Sequence, residues 1–265
     1  MKVYIINTGI LDSDINALYH NVNLGTKSNP DPGVKWVSAP TYCVLIDHPK
    51  AGWILYDLGS NPESASIWPG MLSEVSNYKK VPGATIPEQL GQLGLKPSDI
   101  KHVVISHMHM DHIGNINLFK DTAEFYVPRE EAQHAFMMVM GSLDESKRGF
   151  YYREDVLSEM SLHYLDEDEE LFPGVHTVLL PGHTPCVCGL LLELKDRNII
   201  LTSDAINGSM IYNDGVLPGA CYDTIGHQYT LRKLKKLEKE YDAMVLFSHD
   251  MDQFNTLKKL PEYYE

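Results

Sequence analysis

The sequence predicts a single α/β domain. Two observations carry that reading. Short runs rich in Val, Ile and Leu alternate with stretches of helical period, and Asp and His side chains recur where those runs end. The apolar runs are Lys2–Ile6, Tyr42–Ile46, Trp53–Tyr56, His102–Ile105, Glu124–Val127, Val175–Leu180, Leu190–Glu193, Ile199–Leu201 and Met244–Phe247, each bounded by Gly, Pro or Asp. Helices are expected over Thr85–Leu93, Arg129–Met140 and Thr224–Glu240. The last carries Ile225, Tyr229, Leu234, Leu237 and Tyr241 on one face and most of its lysines on the other. The acidic run Asp166–Glu170 reads as a solvated loop. No Ser/Gly or Pro-rich spacer and no repeat divides the 265 residues, so residues 1–265 are read as one domain.

Composition removes several classes of function. Lys plus Arg is 22 and Asp plus Glu is 36, a formal charge of −14. A nucleic-acid binder must neutralise phosphates with a basic patch, and a peripheral membrane protein must meet anionic lipid, so neither partner is expected. The N-terminal MKVYIINTGIL reads as a first strand rather than a signal peptide, and no apolar run approaches the ~18 residues of a membrane helix. Cys43, Cys186, Cys188 and Cys221 are too sparse for a disulfide scaffold. Cys186-Val-Cys188 is read as two reduced thiols beside a strand, and the protein as cytoplasmic.

The decisive segment is HVVISHMHMDHIGN, residues 102–115. A buried-type strand ends at Ser106 and is followed at once by His107, His109, Asp111 and His112. In an extended stretch residues i and i+2 point to one side, so His107 and His109 can share a metal ion. Asp111 and His112 lie further round the turn, in reach of a second. Imidazoles with carboxylate and no thiolate suit zinc, and equally Mn, Fe or Co. Two ions need more ligands, and three candidates stand at later strand ends: His183 in LLPGHTP, Asp204 in LTSDA and His249 in LFSHD. Open α/β sheets place their chemistry at such ends. WILYDLG and IILTSDA echo each other, each an apolar strand delivering an Asp, Asp57 and Asp204. His20, His48, His102, His134, His163, His176 and His227 lack such company and are read as non-ligands.

SHMHMDHIGN, LPGHTP, TSDA and FSHD, in that order across most of the chain, resemble the metallo-β-lactamase superfamily, and YDLG fits its early structural acid. Within it the chain looks most like the dinuclear zinc lactonases acting on N-acyl homoserine lactones or 4-pyridoxolactone. PTYCVLID, GWILYDLGS and FSHDMDQFNTLKKLPEYY look particularly like the pyridoxolactone type. The resemblance implies an αββα sandwich with two Zn2+ at one edge. It implies that His107, His109 and His183 hold the first ion, Asp111, His112 and His249 the second, and that Asp204 bridges them with a hydroxide that opens the ester ring. Asp57 would accept a hydrogen bond from a ligand histidine or loop amide and fix it. Asp111 or Asp204 would shuttle the proton.

Two departures from the lactonase pattern bear on substrate. The homoserine lactone enzymes carry a Tyr three residues after the bridging Asp; here Asn207 stands there, able to donate a hydrogen bond, with Tyr212 nearby as a substitute. A second His expected shortly after the Pro of LPGHTP is replaced near Val187, outside the ligand set. Substrate contacts are expected from the loop Ser60–Pro82, through Trp68 and Met71 beside Ile67 and Leu72, and from Met138 of the Arg129–Met140 helix. The partners expected are a small lactone and a second copy of the chain in a homodimer. The alternatives are a thioester or β-lactam hydrolase and a mononuclear-iron sulfur dioxygenase of the same fold.

Overall fold

A computed structural model describes residues 1–265. Its strands are β1 (Lys2–Asp14), β2 (Trp36–His48), β3 (Gly52–Tyr56), β4 (Asn77–Lys79), β5 (His102–Val104), β6 (Glu124–Pro128), β7 (Ser161–Leu165), β8 (Glu170–Phe172), β9 (Val175–Leu180), β10 (Val187–Leu192), β11 (Ile199–Leu201) and β12 (Met244–Leu246). They form a seven-stranded sheet in the order β4-β1-β2-β3-β5-β6-β7 and a five-stranded sheet in the order β12-β11-β10-β9-β8. β1, β2 and β3 pair antiparallel, while β3, β5, β6 and β7 run parallel. In the second sheet only β11 and β12 are parallel.

The sheets stack face to face because their strands alternate. Val3 and Ile5 of β1 join Val44, Ile46 and Ile54 in a layer that meets Cys188, Leu190, Ile199 and Leu246 of the other sheet. Tyr4 and Ile6 point the opposite way, onto Leu90, Ala132, Ala135 and Val139 of the helices Ile86–Gln92 and Arg129–Gly141. The outer face of the second sheet, through Val178, Leu180, Ile200 and Val245, packs on Leu234 of the helix Thr224–Tyr241 and Ile211 of Ser209–Asp214. Helices outside two stacked sheets make the αββα sandwich that the motifs imply. No helix is long and apolar enough to cross a membrane.

Side-chain caps fix the start of two helices. Thr85 caps Ile86–Gln92 in a reciprocal capping box with Glu88, and Asp223 caps Thr224–Tyr241 by accepting from the Ile225 amide. Two segments differ from expectation. β1 and β2 run well past their apolar cores as one long antiparallel ladder, whose outer rungs hold polar residues such as Asp12 and Ser38. Ser60–Pro82 is not open loop but contains the short helices Ser64–Ile67 and Gly70–Val75 and the edge strand β4. The acidic run is an exposed loop over residues 166–169, as expected, with Asp166 paired to Arg129, Asp168 to Lys233, and Glu170 opening β8. All four cysteines are free.

Candidate metal centre

The ends of β3, β5, β9, β11 and β12 converge on one edge of the sandwich. β3 delivers Asp57, β5 leads through Ser106 into His107, β9 into His183, β11 into Asp204 and β12 into His249. The first two strands belong to one sheet and the last three to the other. His112 rides on the single turn Met110–Ile113, which begins right after His109. Two glycines permit this crowding. A Cβ at Gly114 would come within 2.5 Å of the Asn61 amide nitrogen, and Gly182 has φ +141° with the His227 backbone pressed against it.

Three groups of side chains bring their donor atoms within 4.8 Å of one another: His107, His109 and His183; Asp111, His112 and His249; and His107, His112 and Asp204. The third joins the first two, so the whole set is one cluster with two centres. His109 Nδ1 lies 3.1 Å from His107 Nε2 and 3.1 Å from His183 Nε2. Asp204 Oδ1 lies 3.2 Å from both His112 Nε2 and His249 Nε2, and Asp204 Oδ2 lies 3.5 Å from His183 Nε2. Asp111 Oδ2 is 3.4 Å from His112 Nε2 and 3.5 Å from His249 Nε2. A tetrahedral ion with ligands at about 2.0–2.1 Å has ligand-to-ligand edges of roughly 3.3 Å, the spacing seen here.

Four of the five clustered histidines have their outer nitrogen hydrogen-bonded, and His109 does not. His107 Nδ1 donates to Ser106 Oγ (3.0 Å), His112 Nδ1 to Asp57 Oδ2 (2.9 Å), His183 Nδ1 to the Ala220 carbonyl (3.1 Å) and His249 Nδ1 to the Pro40 carbonyl (3.0 Å). That tautomer leaves the Nε2 lone pair of each aimed inward. Asp57 also accepts from the Ser106 amide and hydroxyl, both at 2.7 Å, so one carboxylate braces two of the histidines. Asp57 and Ser203 both sit at positive φ, 59° and 45°. Such strain costs about 1–3 kcal/mol per residue and collects where function needs a particular geometry. The two are linked, since Ser203 Oγ donates to Ser106 Oγ at 2.8 Å and lies 3.3 Å from Asp57 Oδ2.

The electrostatics favour a cation. Burial holds His107, His109 and His183 below the ordinary imidazole range, so all three are neutral. Burial works against charge on His112 and His249 too, yet the surrounding carboxylates outweigh it and hold both above that range. Asp204 is likewise buried, and His249 and His112 still keep its carboxyl well below the usual one. His112 Nε2 and Asp204 Oδ1 are buried without a hydrogen-bond partner. Three neutral imidazoles, two more held among carboxylates, the ionised Asp204 and the unpartnered inward atoms His112 Nε2 and Asp204 Oδ1 form a donor set that fits two divalent ions.

A cleft opens over these atoms. His109, Asp111, His183, Asp204 and His249 form its floor, and Leu11, Leu18, Trp68, Met110 and Phe150 its apolar walls. Asn207 lines it with Oδ1 buried and unpartnered. Three expected contacts are corrected. The Tyr212 hydroxyl donates to Glu238 at 2.8 Å and its ring packs on Phe247, in the outer helical layer away from the cleft. Met71 is 52% exposed, because on so short a helix its neighbour Leu72 takes the inward face beside Trp68. Met138 packs against the first-sheet core rather than lining the cleft. Leu11, Ser13, Ala17 and Leu18, from the extended end of β1 and the turn after it, line the cleft without any sequence signal. None of the seven histidines without strand-end company joins a metal-binding group.

Comparison with known proteins agrees with this geometry. The chain is 29% identical over 278 residues to the N-acyl homoserine lactonase AiiB of Agrobacterium fabrum, covering 100% of this chain and 99% of that one. The structure of Bacillus thuringiensis AiiA with N-decanoyl-L-homoserine bound at its active site superposes with a TM-score of 0.84 at 27% identity, covering 99% and 98% of the two chains. An N-acyl homoserine lactone hydrolase with the product N-hexanoyl-L-homoserine at its catalytic metal center has the same TM-score at 25% identity, again covering 99% and 98%. The family model of the metallo-β-lactamase superfamily matches residues 38–249, from β2 to the last of the clustered histidines, and the chain belongs to that superfamily.

Proposed function

We propose that this protein is a metal-dependent lactonase that opens the ester ring of an N-acyl homoserine lactone. The observation that carries the reading is the pair of ligand clusters joined through Asp204 beneath a partly apolar cleft. His107, His109 and His183 would hold one ion and Asp111, His112 and His249 the other, with Asp204 shared. Zinc suits these donors best, and Mn, Fe or Co use the same chemistry. When bound, two such ions activate water near neutral pH and polarise an ester carbonyl.

The chain's own residues do the rest. Asp57 and Ser106 hold His112 and His107 in the required tautomer. Asp111 or Asp204, both kept ionised by their histidine neighbours, would take the proton of the attacking water and pass it to the departing alkoxide. Asn207, which lines the cleft, would donate its side-chain amide to the oxygen that gains charge. The walls Leu11, Leu18, Trp68 and Phe150 exclude water and match an acyl chain. The free thiols fit a cytoplasmic location.

Asp204→Asn tests the bridging role. The variant is expected to keep its circular dichroism and melting profile while losing one ion, or on the order of 100-fold or more in lactone turnover. Two retained ions with near wild-type turnover would remove Asp204 from that role.

A further inference from the structure

The helix Arg129–Gly141 buries a carboxylate among alanines. Glu131 is 0% exposed and shares its inward face with Ala132, Ala135 and Val139. An ionisable side chain in such a place is costly unless it is well bonded. Its Oε1 accepts the Met108 amide at 2.9 Å and the Tyr151 hydroxyl at 3.1 Å. Met108 is the residue between His107 and His109, so this amide belongs to the backbone that aims both rings at one point. Tyr151 meets the other end of the problem, since its ring packs edge-on against His109 with centroids 4.7 Å apart.

His109 is the odd member of the ligand set. The other four histidines present Nε2 to the centre, and His109 presents Nδ1. No outward hydrogen bond selects that orientation; it is held by the aromatic rings of Tyr151 and Phe150. One carboxylate oxygen therefore ties down both the peptide that carries His107 and His109 and the ring that sets the flip of His109. We propose that Glu131 is a positioning residue for the three-histidine site. It acts as a hydrogen-bond acceptor from behind the ligands and touches neither ion nor substrate. The inference rests on the metal reading given above.

The test compares wild type with Glu131→Ala, Glu131→Gln and Tyr151→Phe. Zinc affinity is measured by competition with a chromophoric chelator, the visible spectrum is recorded after cobalt substitution, and hydrogen exchange is followed over residues 105–111. Glu131→Ala is expected to bind one of its two ions about 10–100-fold more weakly, with the other little changed and the Met108 amide exchanging faster. Glu131→Gln keeps the acceptor oxygen and is expected to stay within about threefold of wild type. Tyr151→Phe removes one bond without opening a cavity, and is expected to shift the cobalt spectrum even if the alanine variant does not fold. Unchanged affinity, exchange and spectrum in Glu131→Ala and Tyr151→Phe would overturn the proposal. So would a loss in Glu131→Gln equal to that in Glu131→Ala, because charge rather than acceptance would then matter. A wild-type protein that binds no divalent ion would overturn the metal reading itself. Two ions in wild type with unaltered variants would overturn only the role of Glu131.

Discussion

At the residue scale the ligands share a physical rule. Each follows a short strand, and a neighbouring carbonyl, hydroxyl or carboxylate takes the outer nitrogen of four of the five histidines. The strand-end half of that rule is legible in the sequence, as apolar runs ending in Ser-His, Gly-His or Ser-Asp. The outer partners are not, because Pro40 and Ala220 contribute only backbone carbonyls, which carry no residue signal. Tyr212 shows the opposite failure. It lies close to Asp204 in sequence, but the helix Ser209–Asp214 carries it to Glu238 in the outer layer. Tyr212→Phe is therefore expected to leave lactone turnover unchanged while lowering stability by about 1 kcal/mol. Asn207→Ala is expected to lower kcat about tenfold or more with little change in metal content. Steady-state kinetics and thermal melting of the two variants decide the matter, and the reverse pattern would restore Tyr212 as the donor.

At the scale of elements, burial decides which contacts pattern alone could find. Trp68 and Met71 belong to the same irregular segment. Trp68 is buried against Leu11, Leu72, Tyr78 and Met110, and Met71 faces solvent, because the chain there breaks into two short helices too brief to show a period. The turn Arg153–Val156 supplies a test of a different kind. Asp155 is 5% exposed, and burial together with Glu154 pushes its carboxyl up to about 7. With the folded value above the unfolded one near 3.8, the folded state binds this proton more tightly, so stability falls as pH rises from about 4 to 7. The cost is complete above that window and amounts to no more than about 4 kcal/mol at ~1.36 kcal/mol per unit. Asp155→Asn is expected to raise the melting temperature at pH 8 and leave it nearly unchanged at pH 4. An equal shift at both values would show that Asp155 carries no such cost.

At the scale of the whole molecule, the site exists only because two sheets meet. β3 and β5 bring Asp57 and the run from His107 to His112, and the five-stranded sheet brings His183, Asp204 and His249. The αββα layering was legible through the order of the motifs. The long arms of β1 and β2, one of whose ends lines the cleft, were not, because their outer residues mix Ile10, Leu11, Trp36 and Val37 with Asp12, Ser13 and Ser38 and are interrupted by Gly9 and Pro40. The charge of −14 gains a local meaning here, since Asp57, Asp111 and Asp204 gather at the one place where cations are wanted. What remains to be tested is that these clusters hold two ions used to open a lactone. Metal analysis of the purified protein, paired with pH-stat titration of an N-acyl homoserine lactone on the same sample, tests it most directly. Two divalent ions per chain and steady proton release that stops when the ions are stripped are expected. One iron per chain with no proton release from any ester would contradict it.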